Sequence, residues 1–210
     1  MGRCSDARGR LVATAVALFR ERGYTAVSVA DICDAAGLKK GSFYHFYASK
    51  LDLALDAIDE YAKGYAALAQ VGAREGVSAT TQLRMMIGAL KSSVTQRCAE
   101  DGCARGCPVG NLAMEMADRE EPIRRKIAAV FDQLREALEA IVARGVASGE
   151  LPAVDPRRAA ETLVAQIQGA MVLTKTANDP QVFDRLMTSA VQALAPHVET
   201  AAPIAAAVAP

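Results

Sequence analysis

Ammonium and hydroxyl groups crowd one short stretch of this sequence, Lys39-Lys40-Gly41-Ser42-Phe43-Tyr44-His45, with Ser28 upstream and Lys50 just downstream. Lysines neutralise phosphates, and seryl and tyrosyl hydroxyls hydrogen-bond phosphate oxygens, so these residue types suit a nucleic-acid backbone. A solvated basic helix face is the ordinary alternative for such a run. A second set is sulfur chemistry: Cys98, Cys103 and Cys107, the last followed by Pro108. Proline favours the first position of a helix, which predicts Cys107 as its N-cap. A thiol there meets the positive end of the helix dipole, and Arg105 stands two residues away in sequence; both favour thiolate. Cys107 is therefore the candidate reactive thiol and Cys103 its candidate resolving partner, against the plain alternative of a small cysteine packing a helix start. Three cysteines with no nearby histidine do not match zinc-ligand spacing.

No catalytic constellation emerges. The two histidines are His45 and His197, with no Ser/His/Asp order and no phosphate-binding glycine loop. Asn111, Glu115 and Asp118 share a helix face, which reads as helix-packing hydrogen bonds rather than an acid/base pair. Lys175 lies with Val164, Gln168, Met171 and Val172 on one helix face. A lysine there either snorkels to solvent or reaches into a pocket, where it could stabilise a Cys107 thiolate or bond to its oxidised form.

The elements that must position these residues are helical nearly throughout. Leu11, Ala15, Leu18 and Phe19 follow helical spacing, and Gly23 supplies a stop. Ser28 to Asp31 reads as a capping box opening a short second helix, which Ala35, Ala36 and Gly37 end. A third helix spans Lys39 to about His45, and Ser49 to Asp52 starts a longer one. Gly37 between two short helices makes a helix-turn-helix: Val29, Ile32, Leu38 and Phe43 pack it, leaving Lys39, Lys40, Ser42, Tyr44 and His45 outward. Lys50, in the next first turn, would meet the DNA backbone with that helix's free N–H groups. Farther on, a turn is expected over Gly72 to Gly76, a helix from about Thr80 to Cys98, and a loop from Glu100 to Pro108. A long apolar stripe follows from Ile123 to Val142, and two final helices cover 157–176 and 181–195.

Composition narrows the class. Net charge is zero, but residues 1–50 hold eight Lys/Arg against four acids, so a basic head precedes an acidic body. No apolar run approaches the ~18–20 residues of a membrane span, and the N-terminus does not read as a secretory signal. Five irregularly spaced cysteines argue against a disulfide framework. A cytoplasmic protein without membrane contact or cofactor is expected.

The full string Gly23 to Leu53, GYTAVSVADICDAAGLKKGSFYHFYASKLDL, resembles the DNA-binding signature of the TetR family of transcriptional regulators. The match rests on Asp31-Ile32, Ala36-Gly37, Gly41, Phe43-Tyr44, Phe46, Ser49-Lys50 and Leu53, with Cys33 where a small apolar residue is usual. The resemblance implies an all-α chain, with a helix-turn-helix head over 1–53 and a helical effector-binding and dimerising body over 54–197; the Ala/Pro-rich composition of 198–210 predicts a disordered tail. It implies phosphate contacts at Ser28, Ser42, Tyr44 and Lys50 and groove contacts at Lys39, Lys40, Gly41 and His45. The segment GCPVGNLAMEMAD is similar to a subgroup that includes electrophile- and redox-responsive repressors, which implies sensing at Cys107. The expected molecule is a homodimer on a palindromic double-stranded operator, released by a small-molecule effector, electrophile or oxidant. A helical enzyme or adaptor with a degenerate head is the alternative, and it predicts no salt-sensitive, sequence-specific DNA binding.

Overall fold

The computed structural model describes residues 2–72 and 76–194. Over these the chain forms nine helices and no strand: α1 (Gly2–Arg22), α2 (Val29–Ala35), α3 (Lys40–Phe46), α4 (Lys50–Gly72), α5 (Ala79–Asp101), α6 (Pro108–Met116), α7 (Glu121–Ser148), α8 (Pro156–Ala177) and α9 (Pro180–Leu194). The middle of the turn expected at 72–76, His197 and the 198–210 tail lie outside the described residues. Among the described residues no helix is long and apolar enough to cross a membrane.

Local capping explains where the short helices begin. Ser28 Oγ accepts the Asp31 N–H at 3.1 Å while the Asp31 carboxylate accepts the Ser28 N–H at 2.8 Å. That reciprocal pair satisfies donors that every helix start leaves open. Ser49 caps α4 without the reciprocal backbone bond, accepting the Asp52 N–H at 3.1 Å while its hydroxyl donates to the Asp52 carboxylate at 2.9 Å. Between α2 and α3 the chain reverses at Gly37, whose φ of +61° a side chain would resist. Leu38 N–H then returns to the Cys33 carbonyl at 2.9 Å and closes the turn.

Leu11, Ala15, Val27, Ile32 and Phe43 form the buried centre of α1–α3. α4 carries this core onward: Leu53 and Ala54 belong to it, whereas Tyr65 and Leu68 are buried some turns later among the body helices. The expected 53/54 boundary thus falls inside one continuous helix. In the body α7 is central, with Ile123, Ile127, Val130, Leu134, Leu138, Ile141 and Val142 buried at three- and four-residue spacing. It packs on α4 and α8, and α9 lies between α8 and α5. α5 continues past the expected end at Cys98 to Asp101, because the left-handed residue that stops it is Gly102, at φ +68°.

The tightest approach in the body is at Gly145 of α7. A Cβ there would lie 2.6 Å from Leu151 Cδ1 and 2.8 Å from Ala79 Cβ. Glycine to alanine normally helps a helix by about 1 kcal/mol. Here Gly145→Ala is expected to lower stability instead, by about 1–3 kcal/mol, through overpacking. A reduced denaturant midpoint at unchanged slope would report it; a raised midpoint would show that the contact relaxes freely.

Candidate nucleic-acid interface and effector cavity

α3 presents the face that its sequence periodicity requires. Lys39, Lys40, Gly41, Tyr44 and His45 are exposed and Ser42 is half-buried, above a fully buried Phe43. The Phe43 ring meets Tyr44 edge-on at 5.2 Å and Tyr47 at 5.8 Å, and His45 stands edge-on to Phe46 at 4.8 Å. Tyr47 anchors the end of α3 to α4 by donating its hydroxyl to Asp56 at 2.6 Å, where Arg8 also pairs at 2.6 Å. Burial and the Asp56 carboxylate push the Tyr47 hydroxyl up to about 12, so it remains a donor. Nothing internal would meet a Cβ at Gly41, so the fold itself does not require glycine at this position.

Two expected DNA contacts are already engaged within the chain. Ser28 Oγ sits in its capping box, where its hydroxyl holds the Asp31 carboxyl below the usual carboxylate range. Lys50 does not extend outward as expected. Its Nζ donates to the Tyr24 and Val27 carbonyls at 2.9 and 2.7 Å and lies 4.1 Å from the Tyr24 ring centroid. Two carbonyls in the loop between α1 and α2, outside any helix, draw the ammonium back over the head. Burial lowers its pKa, against the nearby Glu115 and Asp31 charges.

In the body, Cys107 is the N-cap of α6 and Pro108 its first residue, as the sequence predicts. The thiol is 4% exposed; its sulfur accepts the Gly110 N–H at 3.2 Å and lies 2.9 Å from the Tyr65 hydroxyl. Burial, then the neighbouring sulfur, drives the Tyr65 hydroxyl well above its ordinary range. Both residues line a cavity of about 420 Å³ with Tyr61, Leu90, Ser93 and Arg97.

Arg105 and Lys175, two expected partners of Cys107, are engaged elsewhere. Arg105 reaches away from the thiol, to the Glu21 carbonyl at 3.1 Å and Asp101 at 3.5 Å, because the loop turns it toward α1. Cys103 is an electrostatic neighbour of Cys98, whose thiol is pushed up chiefly by burial. Lys175 crosses Gly106 and donates to Asn111 Oδ1 at 3.2 Å. It opens on a separate cavity of about 430 Å³ beside Tyr24 and Glu115. The structure therefore does not bring Lys175 to the sulfur.

The polar face of α6 makes packing hydrogen bonds. Glu115 accepts the Tyr24 N–H at 2.9 Å and the Thr25 N–H at 2.7 Å, in the loop that leads into α2. Asn111 Nδ2 donates to the Arg105 carbonyl at 2.7 Å, while Asp118 is exposed past the end of the helix. Tyr65 and Arg97 carry no sequence signal of their own; each occupies an ordinary helical position, whereas Glu115 stands on the polar face that the sequence marks. Among the described residues no His/Cys/Asp/Glu group could hold a metal ion.

A three-helix head with an exposed basic and aromatic helix, on a longer helical body, is the architecture of a helix-turn-helix transcriptional regulator. Residues 11–57 match "Bacterial regulatory proteins, tetR family" and residues 79–190 match "Tetracyclin repressor-like, C-terminal domain". The chain belongs to the TetR family of transcriptional regulators, and is thus not an enzyme. It is 32% identical, over 82% of its length and 87% of the other's, to an HTH-type transcriptional regulator of Lactococcus lactis subsp. lactis. It is 26% identical, over 91% and 94%, to the HTH-type transcriptional repressor DhaR of Mycobacterium sp. (strain GP1). A solved TetR transcriptional regulator from Chloroflexus aurantiacus superposes with a TM-score of 0.79 at 30% identity, covering 91% and 96% of the two chains.

Proposed function

We propose that this chain is a homodimeric repressor that binds a palindromic operator and releases it when its body cavity is occupied or Cys107 is modified. The observation that carries this reading is α6, whose N-cap thiol lines the cavity while Glu115, near its other end, grips the loop entering the helix-turn-helix. A displacement at one end of a nine-residue helix must be felt at the other. Release further requires that the effector favour one of two head spacings, since equal affinity for both shifts nothing.

Dimerisation is supported by Val172, Leu173 and Leu186, large apolar side chains exposed on the adjoining helices α8 and α9. Paired by two-fold symmetry they would form a four-helix interface and set two α3 helices into successive major grooves, roughly 34–36 Å apart or somewhat more. Phosphate contacts are assigned to Ser28, Ser42 and Tyr44, and groove contacts to Lys39, Lys40, Gly41 and His45. Lys50 would join them only by leaving the Tyr24 and Val27 carbonyls. Repression as the sign agrees with the printed name of the Mycobacterium relative.

The thiol route is favoured by the position of Cys107 inside the cavity wall. Wild type treated with N-ethylmaleimide is expected to lose operator binding, and Cys107→Ser to keep it. Serine caps a helix at least as well, so α6 should persist. Equal release of both proteins in a mobility-shift titration would reject Cys107 as the sensor and leave reversible occupation of the cavity.

A further inference from the structure

We propose that the cavity beside Cys107 selects a small organic monocarboxylate, its anion held by the Arg97 guanidinium and its apolar end by the apolar part of the lining. The inference rests on the effector reading of this cavity and specifies the ligand class. Its charge balance carries the argument. Three ionised side chains line the cavity. Arg20 is paired with Asp101 at 2.7 Å, and Glu60 with Lys63 at 2.5 Å. Arg97 is half-buried, its side chain donates to the neutral Ser93 hydroxyl, and among the described residues no carboxylate pairs with it.

A guanidinium removed from water without a counter-ion is unfavourable, and its planar fork matches a carboxylate with two parallel hydrogen bonds. Tyr65 stands close enough to feel the Arg97 charge, and burial keeps its hydroxyl protonated; by turning from the Cys107 sulfur, 2.9 Å away, it would give the same anion a second donor. Beside the paired Arg20 and Glu60 and the Tyr61 hydroxyl, the lining carries an apolar part formed by Val16, Leu68, Leu90, Val109 and Met171. One unmatched positive charge in a cavity with an apolar part fits a single carboxylate with a hydrocarbon body. A dianion would bring one charge too many. The volume of about 420 Å³ lies within the ordinary range of small-molecule sites.

The test is calorimetric titration of the full chain with butanoate, hexanoate and benzoate, each beside its carboxamide, and with inorganic phosphate. At least one acid is expected to bind, about tenfold or more tightly than its amide and than phosphate. Arg97→Gln should abolish that preference, and Arg97→Lys should recover part of it, with thermal melts showing both variants folded. Binding of acid and amide alike, binding unaffected by Arg97→Gln, or no binding by any acid would overturn the assignment. Operator binding, followed in parallel, separates this from the regulatory reading. An acid that binds through Arg97 yet leaves the operator complex intact would uphold the ligand class and sink the coupling. Release through Cys107 with no acid bound would do the reverse.

Discussion

Phe43→Ala is expected to cost this protein about 3–5 kcal/mol, a large part of the roughly 5–15 kcal/mol that holds a typical domain folded. The ring is fully buried and touches Tyr44 and Tyr47, so its loss leaves a void directly beneath the recognition helix. In a chain of this size the melting temperature should fall by roughly 6–20 °C. Operator binding should vanish with the head's packing. The adjacent Tyr44 supplies the contrast, being 59% exposed. Tyr44→Phe should leave the melt within about 0.5 kcal/mol of wild type. It should weaken operator binding by roughly two- to tenfold, the worth of one hydrogen bond. Because a phosphate contact carries no sequence information, that loss should be the same for operator and unrelated DNA. A melt lowered by Tyr44→Phe, or unmoved by Phe43→Ala, would mean that the face of α3 is rotated from the one described.

The opposite fates of residues 43 and 44 show what the sequence makes legible. Helical periodicity assigns inside and outside wherever apolar spacing is regular, and it does so for α3 and for the long stripe of α7. Helix starts are equally readable at Ser28, Ser49 and Cys107, because a cap is a contact between residues three apart. Side-chain direction in loops is not local in this sense. Arg105 lies two positions from Cys107, yet its guanidinium finds the Glu21 carbonyl of another helix. The place of Lys50 at a helix start directs it toward the DNA backbone, but the carbonyls that hold it come from the loop after α1. Glu115 could be placed on a polar helix face, while its partners, some ninety residues earlier, follow only from how α6 docks on the head. The Arg97 cavity is likewise legible only in three dimensions, since an unpaired charge is defined by what the fold leaves away from it.

Glu115→Ala is expected to separate effector binding from operator release. The carboxylate accepts two backbone N–H groups of the loop between α1 and α2. Hydrogen bonds to an ionised acceptor contribute about 1.5–3 kcal/mol, similar in size to a typical allosteric coupling energy. Alanine removes both bonds; glutamine keeps an acceptor oxygen and should lose less. In each variant the cavity and Cys107 are untouched, so ligand or thiol-reagent binding should persist while its effect on operator affinity shrinks, most for alanine. Acid should mimic the mutation. Burial pushes the Glu115 carboxyl up, but the Thr25 and Tyr24 donors and the Lys50 charge together outweigh it and hold it below its ordinary value near 4.5. A carboxyl lowered in the folded state stabilises fully above its unfolded pKa and loses that contribution as pH falls through the folded one. The link should therefore be constant around neutrality and weaken only below about pH 4.5, with Glu115→Gln flattening that acid limb. Full effector-driven release by Glu115→Ala, with an acid limb like that of wild type, would show that α6 reaches the head by another contact, of which Thr25 with Met116 is the nearest alternative.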